Sequence, residues 1–405
     1  MRFTFIHAAD LHIDSPLAGL SLKDKRIAEK FAQAGRRAVE ALVQETIASK
    51  ASFLIIACDI FDGDWKDVTT GLFFVRAISA LHREGIPVFM IKGNHDAESV
   101  MSRELPYPPS ARTFASAKAE TLTIDSLRVA LHGRSFPNRL TDEFVETYPA
   151  RREGWLNIGI LHTSLDGTRG HEGYAPCSIE SLKSFGYDYW ALGHVHAAEI
   201  VHRHPWVVFP GNLQGRSIRE TGTKGAVRVT VEDGRIVEVS PIVLDHARWG
   251  HLSVDVAGAA SETDIVSRVD TALADAHAAS DNRPLAARIT LTGETALHNR
   301  LVAQRERLQD DLRARGFQLS DDLWVESLKI RTAPPSLAPI PDDSLDVAQL
   351  LAETADDPEF QTVLSELVES IKARLPKDLH GDFAESDMLK TLLADARALV
   401  AGELT

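Results

Sequence analysis

The fold is decided at the start of the chain by the stretch FTFIHAADLH, residues 3–12. Residues 3–9 predict a strand that runs directly into Asp10, Leu11 and His12. A second apolar run, residues 52–58, has the length and branching of a buried strand and ends at Asp59. Apolar residues recur three or four apart between the two runs and predict a helix over 22–49. This alternation indicates a layered α/β domain.

The same alternation extends the predicted domain over residues 1–245. Its further elements are a helix over 70–84 and strands over 87–91, 156–161 and 189–192. Residues 246–332 then predict a small α+β domain, with strands over 252–256, 286–292 and 324–330 and helices over 262–278 and 296–315. Prolines mark residues 333–341 as a stiff linker. Two apolar stripes at helical spacing predict helices within residues 342–405, and this segment is rich in acidic residues.

Composition and charge narrow the class of protein. The formal net charge is −14, but residues 336–405 hold fifteen acidic and five basic residues, so the rest carries only −4. Charge therefore neither supports nor excludes a nucleic-acid partner. Two cysteines are too few for a disulfide framework or a thiolate zinc cluster. No apolar run approaches the ~18 residues of a membrane span, and no leader pattern opens the chain, so we expect a cytoplasmic protein without a membrane partner.

Five short segments place polar side chains directly after predicted strands. Such strand ends meet at a common crevice of an α/β sheet. Carboxylate, amide oxygen and imidazole together suit Mn, Fe or Zn. Two ions about 3.5–4 Å apart can activate a water and offset the charge that develops during phosphate ester hydrolysis. The segments are Asp10-Leu11-His12, Cys58-Asp59-Ile60-Phe61-Asp62, Gly93-Asn94-His95-Asp96, Leu161-His162-Thr163 and Gly193-His194-Val195-His196.

Two features of local geometry are expected to shape this centre. Residues two apart on an extended segment point to the same side, which would pair Asp10 with His12 and His194 with His196. Gly93 and Gly193 would let the backbone turn tightly beside the ions. Each segment alone is a weak signal, whereas all five in this order are specific.

The ordered set resembles the calcineurin-like metallophosphoesterase superfamily, and within it the SbcD-type DNA-repair nucleases, especially the YhaO-like branch. The resemblance to that branch rests on the stretches DLHIDSPL, residues 10–17, and FPGNLQGR, residues 209–216. It implies a four-layer αββα sandwich followed by an α+β cap domain and C-terminal helices. It also implies two divalent ions, Mn²⁺ first and Fe or Zn as options, and hydrolysis of DNA by metal-activated hydroxide.

Roles for individual residues follow from the same resemblance. Asp59 would bridge the two ions. His95 would approach the scissile phosphate outside the coordination shell, with Asp62 orienting it; Asp62 as a turn-capping residue is the alternative. The ligands of the first ion would be Asp10, His12 and His196, and those of the second Asn94, His162 and His194.

Two positions depart from the family pattern. The family usually has glycine before the bridging aspartate, where this chain has Cys58, either an inert buried residue or a soft sulfur beside the metal. Many eukaryotic and archaeal relatives have histidine at Asp62, which leaves exonuclease polarity open. In the small domain, a set of residues could contact phosphate or bases, or could be ordinary solvated side chains. These are Arg248, Trp249, His251, Arg283, Arg288 and Lys329.

The leading hypothesis is a two-metal DNA-repair nuclease, exo- or endonucleolytic, that works with an SbcC-like or YhaN-like coiled-coil ATPase and can form a homodimer. The helices after the linker would either fold against the body or dock on that partner. One alternative keeps the chemistry but acts on a small molecule or nucleotide. A second alternative is a non-catalytic scaffold subunit of an ATPase complex, which the presence of every expected ligand disfavours.

Overall fold

The computed structural model describes residues 1–15, 25–61, 68–93, 105–136, 145–165 and 175–335, with 357, 358, 360, 362, 363, 365, 366 and 370. The chain divides into two compact units. The first holds Met1–Gly250 and Ser280–Ala286, and the second holds His251–Ala279 and the chain from Ala287 onward.

Both units contain α-helices and strands. The described helices are α1 (Lys25–Ala48), α2 (Val68–Arg83), α3 (Ile179–Ser184), α4 (Glu262–Ala279), α5 (His298–Ala303) and α6 (Arg305–Leu319). The described strands are β1 (Arg2–Ala8), β2 (Leu54–Ala57), β3 (Val88–Ile91), β4 (Ala111–Thr113), β5 (Glu120–Ile124), β6 (Val129–Gly133), β7 (Leu156–His162), β8 (Tyr189–Gly193), β9 (Glu199–Arg203), β10 (Trp206–Phe209), β11 (Gly225–Glu232), β12 (Arg235–Val243), β13 (Arg248–Asp255), β14 (Leu285–Glu294) and β15 (Leu323–Ala333).

Two six-stranded sheets build the first unit. One has the order β12-β11-β1-β2-β3-β4, and the other has the order β5-β6-β7-β8-β10-β9. Strands β1 to β4 are parallel, and so are β6, β7, β8 and β10. Antiparallel strands occupy the margins, where β11 and β12 extend the first sheet and β5 and β9 close the second. The parallel centres therefore direct several strand ends to one edge of each sheet.

Side chains on both faces of the central strands are buried, which explains their apolar runs. Phe5 of β1 packs between the sheets with Ile158 and Tyr189, whereas the next residue, Ile6, packs toward Leu42 of α1 and Phe74 of α2. A third cluster on the outer face of the second sheet contains Trp190, Leu192 and, from α3, Leu182. The layers are therefore helix, sheet, sheet and helix, and the expected αββα sandwich is confirmed.

The second unit contains a three-stranded sheet in the order β13-β14-β15, with helices between consecutive strands. Leu273 of α4 and Leu312 of α6 are fully buried in this unit. The single helix expected over 296–315 is wrong in one respect: two helices, α5 and α6, meet at Gln304, whose φ of −106° and ψ of 20° lie outside helical values. Strands and helices alternate in this unit as the sequence predicts for an α+β domain after residue 245.

Few residues of the acidic C-terminal segment lie in the described part of the chain. Residues 358, 360, 362, 363, 365, 366 and 370 are helical, and the side chains of Phe360 and Val363 are exposed. The second apolar stripe and the linker over 336–341 lie outside the described residues. Among the helices that the structure describes, none combines the length and apolar character needed to cross a membrane.

Candidate metal centre

Of the metal-site residues that the sequence singled out, those in the described part of the chain lie at the ends of parallel strands. Asp10 and His12 follow β1, and Asp59 follows β2 in the same sheet. His162 is the last residue of β7, and its neighbour β8 leads into His194 and His196. The two sheets thus present these side chains from strand ends, as their order along the chain predicts.

Main-chain hydrogen bonds hold the segments after β1 and β2 together. The amide of Asp10 donates to the carbonyl of Cys58 at 3.1 Å, and the amide of His12 donates to the carbonyl of Asp59 at 2.9 Å. The amide of Ile13 repeats the pattern with Ile60 at 3.0 Å. Main-chain hydrogen bonds therefore place the ligand residues after β1 beside those after β2; contacts between the ligand side chains are not needed for this.

Left-handed backbone conformations concentrate at this edge. The φ angles are +49° at Asp10, +41° at His12, +81° at Cys58, +43° at Asp59 and +101° at His194. Such values are costly for non-glycine residues and cluster at functional sites. These segments are therefore not extended as expected, because Asp10, His12 and His194 have left-handed backbone conformations. Asp10 and His12 nevertheless lie in one ligand group, as expected.

Two groups of ligand atoms result, each with its atoms within 4.8 Å of one another. The first group holds Asp10, Cys58, Asp59 and His162, all buried, and the second holds Asp10, His12 and His196. In the second group the Nε2 atoms of His12 and His196 lie 3.2 Å apart. In the first group Nε2 of His162 lies 3.7 Å from a carboxylate oxygen of Asp59.

Asp10 belongs to both groups and is fully buried. Its two carboxylate oxygens accept the amide of His194 at 3.0 and 2.9 Å. Burial raises the pKa of Asp10 to about 6, against the lowering effects of His196 and of that amide. A cation within ~4–6 Å would favour the ionised carboxylate. The bridging role expected for Asp59 stays a prediction, and Asp10 is the carboxylate that the two groups share.

Outside these groups, Glu220 contacts His196. The Nδ1 atom of His196 lies 2.8 Å from a carboxylate oxygen of Glu220. Burial raises the pKa of Glu220, but the hydrogen bond from His196 and the charge of Arg216 outweigh burial and hold this pKa well below its usual range. Glu220 is absent from the residues that the sequence singled out, because its partner lies 24 residues away; the only local signal was the neighbouring stretch over 209–216.

Neighbouring atoms lie very close to the two glycines beside the site, and this proximity explains why glycine occupies both positions. Neither Gly93 nor Gly193 has a positive φ. A Cβ atom on Gly93 would lie 2.0 Å from Oδ1 of Asp59, and one on Gly193 would lie 1.9 Å from the carbonyl oxygen of Ala57. The expectation was a tight turn at each glycine; the structure gives a packing reason instead, since neither position has room for a Cβ atom.

Cys58 stands against the metal ligands. Its side chain is buried, its Sγ is 3.8 Å from an oxygen of Asp10, and it contacts Nδ1 of His162. The φ of +81° is the physical reason that glycine suits this position. Cysteine therefore adds a sulfur beside His162 at the expense of a less favourable backbone conformation.

This conformation predicts how two substitutions of Cys58 will differ. Both Cys58→Gly and Cys58→Ala remove the sulfur, but only glycine adopts the left-handed region without steric cost. We expect the glycine variant to have a free energy of unfolding about 1 kcal/mol larger than the alanine variant. Urea unfolding of both metal-free variants measures this difference. Equal stabilities, or a more stable alanine variant, would contradict a left-handed Cys58.

The structure brings together five of the predicted metal ligands and places a sixth beside them. His194 lies outside the two groups, with its ring edge-to-face against His162 at 4.9 Å between centroids. Asn94, His95 and Asp62, to which a ligand role and the two catalytic roles were assigned, lie outside the described residues. Their roles stay predictions.

The donor set fits divalent metal ions. It combines carboxylate oxygens with imidazole nitrogens, the ligands that suit Mn, Fe and Zn. Asp10, His12, Asp59 and His162 are almost completely buried, whereas His194 and His196 are half-buried. The centre is therefore deep on one side and reaches the surface at the segment after β8. His196 would reach an ion through Nε2, since its Nδ1 faces Glu220.

Several residues considered for DNA contact have structural roles instead. Trp249 is 2% exposed, donates from Nε1 to Gly215 at 3.0 Å and packs on Phe31, so neither alternative, contact with bases or an ordinary solvated side chain, applies to it. Arg248 and Arg283 both pair with the buried Asp245.

The remaining candidates lie in the second unit. Arg288 pairs with Glu326 at 2.9 Å. His251 and Lys329 are exposed, and burial together with the nearby charge of Arg288 lowers the pKa of both. Contact of these three residues with DNA stays a prediction.

Two family models match the chain. The model "Calcineurin-like phosphoesterase" matches residues 3–198, and "Metallophosphoesterase YhaO, middle domain" matches residues 249–333. The first match contains both described ligand groups. The second match covers β13 to β15 and the helices between them.

Two known proteins have sequences similar to this chain, and one solved structure is reported beside them. The uncharacterized metallophosphoesterase YhaO of Bacillus subtilis (strain 168) is 32% identical over 316 residues, covering 77% of this chain and 76% of that protein. The DNA double-strand break repair protein Mre11 of Methanopyrus kandleri is 26% identical over 294 residues, covering 65% of this chain and 61% of that protein. The solved structure of TT1561 of Thermus thermophilus is 13% identical, covers 60% of this chain and 99% of that chain, and has a TM-score of 0.33.

Proposed function

Because the chain belongs to the calcineurin-like metallophosphoesterase family and is similar to YhaO, we propose that it is a DNA-repair nuclease that hydrolyses phosphodiester bonds at a two-metal centre. Family membership supports a metal-binding phosphoesterase, that is, a hydrolase. The finer proposal of DNA as substrate is carried by the similarity to Mre11 over 65% of the chain. That relative is described as a DNA double-strand break repair protein, and we propose a role on DNA for this chain as well.

The geometry of the centre suits hydrolysis of a phosphodiester. Two divalent ions, when bound, supply a nucleophile near neutral pH and neutralise charge on the phosphoryl oxygens. Asp10, Asp59 and His162 would hold them from the buried side, which keeps bulk water away from the ligands. His194 and His196 lie at the exposed side, so the phosphodiester would approach along the segment after β8. Mn²⁺ is the ion we propose; the donor set accommodates it and would also accommodate Fe or Zn.

The substrate proposal is tested with purified protein and Mn²⁺ on three substrates: linear double-stranded DNA, single-stranded DNA and bis-p-nitrophenyl phosphate. We expect cleavage of DNA that stops when EDTA removes the metal. Cleavage of the small phosphodiester with DNA left intact would overturn the DNA proposal and favour the nucleotide or small-molecule alternative. Failure on all three substrates by metal-loaded protein would favour the non-catalytic scaffold.

We further propose that the protein works with an SbcC-like or YhaN-like coiled-coil ATPase and forms a homodimer. The acidic, helical C-terminal segment supports the partner proposal, because Phe360 and Val363 are exposed apolar residues on it. Co-expression of the full-length chain with the ATPase, followed by purification through a tag on one of them, tests the association. Size-exclusion chromatography with light scattering of the chain alone tests the dimer. A molar mass equal to that of the monomer would contradict the homodimer proposal.

A further inference from the structure

The carboxylate of Glu220 is held from several directions. One oxygen lies 2.8 Å from Nδ1 of His196. The other oxygen accepts the side-chain amide of Asn212 at 2.8 Å and the main-chain amide of Arg216 at 2.7 Å. The side chain is only 13% exposed. Because donors reach both of its oxygens, the carboxylate of Glu220 can make all three hydrogen bonds in only one orientation.

This orientation determines which nitrogen of His196 carries the proton. Two side chains approach Nδ1 of His196: the carboxylate of Glu220 at 2.8 Å and Nη2 of Arg216 at 3.2 Å. A carboxylate accepts hydrogen bonds, whereas a guanidinium only donates them. The shorter contact is therefore an Nδ1–H donating to Glu220, and the lone pair of the neutral imidazole is left on Nε2. That atom faces Nε2 of His12 at 3.2 Å, within the second ligand group.

The same loop also holds the main chain of His196. Its carbonyl oxygen accepts hydrogen bonds from Nζ of Lys224 at 2.9 Å and from the main-chain amide of Asn212 at 3.4 Å. Gly211, with φ of +76°, lies so close that a Cβ atom there would be 3.0 Å from this carbonyl oxygen. Both the backbone and the ring of His196 are thus fixed by residues between 211 and 224, none of which is among the predicted ligands.

We propose that Glu220 is a positioning residue that keeps His196 in the tautomer and orientation needed to bind metal through Nε2, and thereby sets the affinity of one of the two ions. The inference rests on the metal centre of the proposed function but not on the choice of DNA as substrate. Carboxylates that accept from the distal nitrogen of a ligating histidine typically contribute about 10- to 100-fold to metal affinity. The ion held by His162 should not depend on Glu220.

The test is a Mn²⁺ titration of metal-free full-length protein, followed by electron paramagnetic resonance. Wild type should bind two ions. In Glu220→Ala one ion should bind as in wild type and the other about 10- to 100-fold more weakly. In Glu220→Gln, which keeps an acceptor without the charge, the loss should be smaller. Glu45→Gln is the matched control, because Glu45 also pairs with an arginine, Arg228, away from the centre, and it should bind both ions normally.

Thermal unfolding of the metal-free variants separates positioning from a general structural role. A structural role would lower the unfolding temperature of metal-free Glu220→Ala and weaken both ions or neither. Wild-type affinity for both ions in Glu220→Ala would overturn the proposal, as would binding of no Mn²⁺ by wild type. Binding of two ions without DNA cleavage by wild type would remove the DNA proposal and leave this one standing.

Discussion

Replacing Asp59 by asparagine is expected to lower the rate of phosphodiester hydrolysis at least about a thousandfold, which corresponds to about 4 kcal/mol of transition-state stabilisation. Asp59 is 2% exposed, and its carboxylate lies among the ligands of the first group. Removing the carboxylate charge would weaken metal binding. The ions neutralise charge on the phosphate during hydrolysis, so weaker binding would slow the reaction. Steady-state rates on bis-p-nitrophenyl phosphate and on DNA, both with Mn²⁺, measure the loss.

Asparagine is chosen because the backbone of Asp59 has a φ of +43°. Asparagine tolerates this left-handed conformation nearly as well as aspartate does and has almost the same volume, whereas alanine does not tolerate it. The metal-free variant should therefore unfold in urea close to wild type. A loss of activity below tenfold would show that the Asp59 carboxylate is dispensable and would contradict its place in the centre.

Asp10→Asn provides a comparison that identifies the bridging carboxylate. If Asp59 bridges, Asp59→Asn should weaken both Mn²⁺ ions and Asp10→Asn mainly one of them. The opposite result would assign the bridge to Asp10, the carboxylate that both ligand groups contain. Asparagine again suits the φ of +49° at Asp10. Glu45→Gln should retain wild-type activity and both ions, since Glu45 lies on α1 and pairs with Arg228.

Gly193→Ala is expected to destabilise the protein by about 3 kcal/mol or more. The added Cβ would lie 1.9 Å from the carbonyl oxygen of Ala57 and 2.7 Å from Sγ of Cys58. The carbonyl belongs to the buried strand β2, so the clash cannot be relieved by rotating a side chain. Relief would have to displace β2 or β8, which carry Asp59 and His194 at their ends. Urea unfolding of the metal-free protein measures the effect.

Gly35→Ala is the matched control for this prediction. Gly35 lies within α1, its φ is not positive, and an added Cβ would meet no atom within 4 Å. Alanine exceeds glycine in helix propensity by about 1 kcal/mol, so this variant should be more stable than wild type. The same substitution would thus act in opposite directions at the two positions. A neutral Gly193→Ala would mean that β2 and β8 do not approach as closely as described.

Much of the fold was predictable because the central strands are buried on both faces. Burial of both faces produces continuous apolar runs, such as residues 52–58, that stand out in a single sequence. The marginal strands lack this signal. Strand β12 exposes many of its side chains, and β5 alternates half-buried with exposed residues. Their positions depend on pairing with β11 and β6, which local composition does not reveal.

The candidate site was predictable in its residue types but not in its geometry. Each ligand that the structure describes lies at or just after the end of a strand that the sequence indicates, so Asp10, Asp59 and His162 could be selected from residue order alone. The left-handed φ angles of the segments after β1 and β2 could not be predicted, because they depend on backbone hydrogen bonds between those segments. Glu220 could not be selected either, since only folding brings it to His196.

The sequence by itself determined the layered α/β class, the strand ends that carry ligands, and the chemical nature of those ligands. Hydrophobic runs and residue order are local properties, and they survive in a linear chain. The tertiary structure alone decided which carboxylate is common to both ligand groups, why Gly93 and Gly193 have no room for a side chain, and which nitrogen of His196 faces the centre. Each of these depends on distances between atoms far apart in the chain, which exist only after the two sheets have packed.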